Sequence, residues 1–411
     1  MGRTKRKRSR RFPAESIVNN DQSIIKLQKW MVRNGWKNEQ KLILKSFPGT
    51  GRGLSSNHTI QPNDVLITIP FELMITYGTL KDDLLGILSP GTKLTVHELL
   101  SLFLVYEFNK KETSPWKYYI DSLPLETPHL PWYNSTNELH ALGKKMHDTF
   151  MNSFEKVRAS VRRKVIDHIG FNENIYKWAY VMVNTRAVYV DPNLVGRGKC
   201  LLDEPCLALC PFLDMFNHHF SASTEATLKN EDGRLVYQLK TLSAFKKYSQ
   251  IFISYGSHNN IKLLMEYGFF IPKNIYDVIK FTFSEVLAVI DMDLSQAKYR
   301  YICDHLFTDD LYVSLDGLSY NLRAVLFVGL CGDERNFNSV IFSDTYPEQF
   351  ISKLPKFINI LLDYKSNIFQ DQYNELKCTK AKESELVEQF LLYRITFLSD
   401  IKNKFVVDIC R

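Results

Sequence analysis

The chain has 411 residues, 45% of them hydrophobic and 24% charged, with a formal net charge of +7. That length is long for one core and makes two domains the natural expectation, while the longest clean apolar run, Ala324 to Cys331, is too short to span a bilayer. Seven cysteines scattered along the chain do not form a disulfide framework and fit a reducing compartment.

In chain order the first feature is basic. Arg3, Lys5, Arg6, Lys7, Arg8, Arg10 and Arg11 have no acid among them, and without these seven the remainder holds 45 basic and 45 acidic residues. A cluster of this kind reads as a nuclear-import or nucleic-acid patch, or as a solubilising tail. No apolar segment follows Met1, so no signal peptide is expected. Nucleus and cytoplasm are the expected locations, with no membrane partner.

Ile24, Ile25, Leu27, Trp30 and Met31 recur at helical spacing. Lys41 to Phe47 reads as a strand entering a glycine-rich turn, and Asp64 to Ile69 as a second strand closed by Pro70. The character then changes: Val96, Leu99, Leu100, Phe103 and Leu104 mark a helix, Lys145 to Ile169 another and Asn174 to Val183 a third. Strands resume at Cys206 to Phe212. A turn at Asn230 to Gly233 separates two alternating runs as in a hairpin, and Gln250 to Ser254 is a further strand. Asn259 to Tyr267 reads as a short helix ended by Gly268. Beyond Ile271 and Pro272 the pattern is helical: Leu294 to Leu306, Leu318 to Leu330, Gln349 to Tyr364 and Tyr373 to Ile409.

Three runs carry chemistry. Gly49-Thr50-Gly51-Arg52-Gly53-Leu54 packs glycines that let backbone N–H groups approach a ligand. It is neither a phosphate loop nor a dinucleotide fingerprint, and an ordinary turn is the plainer reading. Asp214, Asn217 and His218 sit among Phe212, Leu213, Met215 and Phe216; on their own they fit a structural polar cluster or half of a metal site. Cys200, Cys206 and Cys210 near His218 and His219 invite a zinc reading, but no CxxC pair is present and buried apolar cysteines fit better. No metal is expected. Tyr255 and Tyr267 each precede glycine, and Phe269 and Phe270 follow.

These runs, with Asn184-Thr185-Arg186 and Trp116 to Pro124, occur in the order of one family. The chain resembles SET-domain protein methyltransferases of the Rubisco large-subunit methyltransferase-like branch. The resemblance implies an α+β fold: a SET β-core split by a helical insertion, then an all-α C-terminal substrate-binding domain. The division is a tail over 1–20, the SET core over 21–85 and 205–272, the insertion over 86–204 and the C-terminal domain over 273–411. It also implies S-adenosyl-L-methionine as cofactor, with Thr50, Gly51 and Arg52 beside its methionine part, Arg186 at its carboxylate end, and Asp214, Asn217 and His218 along it. Tyr255 would stand at methyl transfer, and Tyr267, Phe269 and Phe270 would line the lysine channel. The expected partner is a protein substrate, a histone tail or another lysine-bearing protein, with nucleic acid met only through the basic tail.

Overall fold

Helix α1 (Gln22–Arg33) forms where apolar residues recur at helical spacing, and Ile24, Leu27 and Met31 are buried along one face. Asp21 caps it by accepting from the Ser23 amide at 2.9 Å. The computed structural model describes residues 17–18, 21–133, 138–196, 198–231, 233–330, 337–379 and 385–409. The basic residues Arg3 to Arg11, and Asp232 of the hairpin turn, lie outside the described residues. By contact the chain divides into two compact units, Met1–Pro128 with Lys144–Ser257, and His129–Gly143 with His258–Arg411.

The first unit carries strands β1 (Ile17–Val18), β2 (Leu42–Phe47), β3 (Gly51–Ser56), β4 (Val65–Pro70), β5 (Ile75–Thr76), β6 (Ala187–Tyr189), β7 (Leu207–Leu209), β8 (Asn217–His218), β9 (Thr224–Glu231), β10 (Arg234–Thr241) and β11 (Gln250–Ile253). They form a five-stranded sheet in the order β1-β2-β3-β11-β8 and two three-stranded sheets, β4-β10-β9 and β5-β7-β6. β9 and β10 are the expected hairpin. β2 and β4, the first two strands expected from the sequence, belong to different sheets. The glycine run also splits: Gly51 already opens β3, whose Leu54, Ser55 and Ser56 are buried.

Between these strands lie helices. Val96–Lys110 starts with a capping box between Thr95 and Glu98 and buries residues all round, as a helix surrounded by protein does. It packs against Glu173–Arg186, which carries Arg186 in its last turn. The helix expected over Lys145 to Ile169 is Glu138–Ser160 followed by the short Arg163–Ile166. The break has a local cause: Val161 bridges to Leu88, and the Arg162 amide donates to Ile87 O at 2.9 Å instead of back along a helix.

The second unit is helical around a core that includes Ile302, Val325, Leu326, Leu361, Leu398 and Ile401. Its long helices are Leu354–Thr379 and Glu385–Ile409. The expected all-α composition needs one addition, a small antiparallel sheet of β12 (Ile279–Phe281), β13 (Leu311–Ser314) and β14 (Gly317–Leu318). Strands of two to four residues are too short to show alternation in sequence. Among the described residues no helix is long and apolar enough to cross a membrane.

Candidate functional site

The turn between β2 and β3 is open on one side. Gly49 and Gly51 have φ of +82° and +68°, and a Cβ built on either would meet nothing within 4 Å. Glycine adopts such angles at no steric cost. Gly53 is the opposite case: a Cβ there would lie 2.5 Å from Gln250 Nε2 and 2.9 Å from Asn217 Nδ2. Its bare backbone lets Asn217 come in and donate to Arg52 O at 2.9 Å and to Thr50 O at 3.3 Å. The Thr50 hydroxyl donates to Gln250 Oε1 at 2.8 Å. One amide therefore ties β8 to the turn. Gly53→Ala is expected to displace Asn217 and Gln250 and lower stability by about 1–3 kcal/mol, read from urea unfolding.

Behind the turn lies a buried charge cluster. Asp214 sits in a tight turn, Leu213–Met215, entered through Phe212, a non-glycine residue at φ +69° whose side chain is fully buried. That conformation is uncommon for a bulky residue and persists only where the surroundings hold it. It turns the Asp214 carboxylate wholly inside, where Oδ2 accepts from Tyr119 OH at 3.1 Å and Arg186 Nη1 at 3.0 Å. Arg186 Nη1 also reaches Asp214 O at 3.2 Å. Within this cluster Arg186 Nε and Asp214 Oδ1 have no hydrogen-bond partner among the described residues. Arg52 meets Asp21 Oδ2 at 3.6 Å and Ser122 O at 3.4 Å.

The electrostatics follow from burial and neighbours. Burial works against the Arg186 charge, but Asp214 and the surrounding phenols outweigh it and the guanidinium's pKa ends raised. Arg52 goes the other way, lowered by burial and then by repulsion from Arg186. Burial, reinforced by Asp214, pushes the Tyr119 phenol well up and does the same to the Cys210 thiol. Two guanidiniums near enough to repel each other favour an anionic group between or beside them.

β8 then delivers the aromatic part. It pairs in parallel with β11, Asn217 opposite Phe252 and His218 opposite Ile253, and the chain turns back so that the Tyr255 amide donates to His218 Nδ1 at 3.0 Å. With Nδ1 accepting, a neutral imidazole carries its proton on Nε2. The His218 and Tyr255 rings stack with centroids 5.1 Å apart, and Tyr255 OH donates to Phe216 O at 2.7 Å. The phenol's proton is thereby committed to the backbone.

Thr50, Gly51, Arg52, Arg186, Asp214, Asn217, His218 and Tyr255 are thus drawn together by the hydrogen bonds and register of the first unit. Tyr267, Phe269 and Phe270 belong to the second. There Tyr267 ends a wide helical turn closed by Gly268 at φ +77°, with its ring 6.1 Å from His258 and 6.2 Å from Phe269. Burial lifts its phenol to about 12. Phe270 packs on Phe390 and Tyr393 of the C-terminal helix, centroids 5.4 and 5.3 Å away.

Sequence reasoning did not single out Tyr119, Asp21, Gln250 or the Phe216 carbonyl. Tyr119 lies within the Trp116 to Pro124 run, the one signal that pointed near it. The metal alternatives meet other partners: Asp214 Oδ2 is held by a guanidinium and a phenol, and Cys200 Sγ contacts Tyr77 OH at 3.4 Å. Among the described residues no group of three His, Cys, Asp or Glu is placed to hold a metal ion.

No family model matches the chain. It is similar to SET domain-containing protein 4 of Mus musculus, 33% identical over 360 residues that cover 82% of this chain and 80% of the mouse protein. A ribosomal lysine N-methyltransferase of Schizosaccharomyces pombe is 26% identical over 334 residues, 80% of each chain. Among solved structures, the SET domain of LSMT bound to lysine and AdoHcy superposes with a TM-score of 0.64 at 17% identity, over 94% of this chain and 91% of that one. At that identity the likeness is one of fold.

Proposed function

The chain belongs to the SET-domain family, with the SET domain-containing protein 4 relatives, and from that membership we propose that it is an S-adenosylmethionine-dependent protein-lysine N-methyltransferase. When bound, S-adenosylmethionine supplies a methyl group on a sulfonium. The donor set fits such a ligand. Arg52 and Arg186 offer positive charge to a carboxylate, Arg186 Nε and Asp214 Oδ1 have hydrogen-bonding capacity to spare, and Gly49 and Gly51 leave open space before the turn. Thr50, Gly51 and Arg52 would line the methionine part. Arg186 would take the carboxylate, with Asp214, Asn217 and His218 along the remainder.

The observation that carries the reading is the Tyr255 hydroxyl. Its proton goes to Phe216 O, so it meets an incoming amine as an acceptor and orients the N–H bonds while leaving the nitrogen lone pair free. An acceptor lysine must be neutral, against an ordinary pKa of about 10.4. Desolvation and a nearby positive charge both lower that value. Tyr267, Phe269 and Phe270 are proposed for the acceptor side chain on their chemistry, since aromatic faces hold a methylated ammonium at about 0.5–2 kcal/mol each.

Histone tails or other lysine-bearing proteins are the proposed acceptors, met in nucleus and cytoplasm. Purified protein incubated with methyl-labelled cofactor and either acid-extracted histones or a ribosomal extract should transfer label to lysine, located by mass spectrometry. Transfer no greater than that of a Tyr255→Phe control overturns the reading. Label on histidine would reassign the acceptor.

A further inference from the structure

We propose that Tyr119 is a positioning residue for the carboxylate of S-adenosylmethionine: by sharing the Asp214 carboxylate with Arg186, its hydroxyl keeps one edge of that guanidinium for the ligand. This rests on the methyl-transfer reading above and gives a role to a residue that makes no part of the glycine turn. Tyr119 lies in the short helix Lys117–Ile120 and is wholly buried. A buried phenol needs a partner, and this one donates to Asp214 Oδ2 at 3.1 Å. Burial, reinforced by Asp214, holds its pKa well up, so the hydroxyl stays a donor.

Arg186 meets the same oxygen. Its Nη1 donates to Asp214 Oδ2 at 3.0 Å and to Asp214 O at 3.2 Å. Nε is buried with no hydrogen-bond partner among the described residues, and so is Asp214 Oδ1. The side chains are thus joined through one nitrogen and one carboxylate oxygen, whereas an unconstrained guanidinium and carboxylate close as a fork with two parallel bonds. The Tyr119 bond fixes the rotation of the carboxylate. Without it the carboxylate can turn until both oxygens face the guanidinium. A fork closed from Nη1 would draw in Nη2, and a ligand carboxylate would then find Nε alone instead of the paired Nε and Nη2 edge.

The same turn reaches the second guanidinium. The Ser122 hydroxyl donates to Tyr119 O at 2.6 Å, and Ser122 O accepts from Arg52 Nη1 at 3.4 Å. Trp116, just before the helix, packs edge-on against Trp30 of α1 with centroids 5.8 Å apart. One braced turn therefore touches Arg52 directly and Arg186 through Asp214.

Tyr119→Phe removes the oxygen and keeps the ring. By isothermal titration calorimetry this variant should bind AdoHcy about tenfold more weakly than the parent, the scale of a hydrogen bond to a charged group. In turnover the loss should fall on KM for S-adenosylmethionine, with kcat at saturating cofactor within about threefold of the parent. In an Asp214→Asn background, which should still bind AdoHcy, the same change should alter affinity by less than about twofold, because a neutral amide gives the guanidinium no fork to close on. An AdoHcy affinity unchanged by Tyr119→Phe, a fall in kcat with KM unchanged, or an affinity loss that persists beside Asp214→Asn would overturn the proposal and leave the methyl-transfer reading standing. So would an Asp214→Asn protein that binds no AdoHcy, since Asp214 would then hold more than the guanidinium. A Tyr119→Phe protein without a cooperative thermal melt would overturn it too, since the hydroxyl would then serve the fold. A parent that binds no AdoHcy would overturn both.

Discussion

Tyr255→Phe is expected to lower kcat for methyl transfer by on the order of 10²- to 10⁴-fold, the usual contribution of a group that positions or moves a proton at the reacting centre. The ring stays, so the stack on His218 at 5.1 Å is retained. The hydrogen bond that the Tyr255 amide donates to His218 Nδ1 does not depend on the hydroxyl. What goes is one oxygen and its bond to Phe216 O, a loss of about 0.5–1.5 kcal/mol in stability. An oxygen needed mainly in the transition state should affect kcat far more than KM. Steady-state kinetics beside a thermal melt decide the matter. A variant that melts normally and turns over within twofold of the parent would remove Tyr255 from the chemistry.

The second large effect lies far from the glycine turn in sequence. Arg394→Met is expected to destabilise the second unit by about 3–5 kcal/mol, as breaking a buried ion pair does when the partner is left behind. Arg394 is 1% exposed and Asp277 equally buried. Arg394 Nη1 reaches both Asp277 oxygens at 3.2 Å, and its Nη2 donates to Val278 O at 2.9 Å. Asp277 also accepts from Tyr393 OH at 2.8 Å and from the Asn260 amide at 3.1 Å. Asn260 in turn donates to Ile271 O and accepts from the Ile271 amide. The network thus anchors both ends of the segment carrying Tyr267, Phe269 and Phe270 to the C-terminal helix. Arg394→Lys should rescue little, because an ammonium cannot reproduce the fork. Urea unfolding followed by far-UV circular dichroism measures both variants; a loss under 1 kcal/mol for Arg394→Met would show that the pair is dispensable.

What was legible in the sequence depended on range. Asp214 to His218 and the stretch from Tyr255 to Phe270 were visible because their chemistry lies in contiguous runs. α1 and Val96–Lys110 were visible because period and caps agree. Tyr119 was not singled out for the Asp214 pocket, since 95 residues separate the two and no local pattern encodes that meeting. Gln250 likewise read only as the start of a strand, although its amide holds Thr50. The positive φ at Phe212 could not be read either: a buried phenylalanine before a turn gives no sign of such a backbone, and tertiary packing imposes it. β12 to β14 were missed for want of length. The break at Val161 came from a pairing with Leu88 that helix periodicity does not register.

The five-stranded sheet has a consequence for the order of folding. β2 and β3 are neighbours and can pair at once, but the next strand, β11, places Ile251 opposite Leu54, nearly two hundred residues later. At typical rates of synthesis that separation means roughly 10–40 s during which the inner edge of β3 has no strand beside it. Closing so long a loop also slows the search for the native pairing. Thr50 and Arg52 therefore exist as half of the candidate site until most of the polypeptide has been made, and the newborn chain carries an open strand edge that invites misassembly.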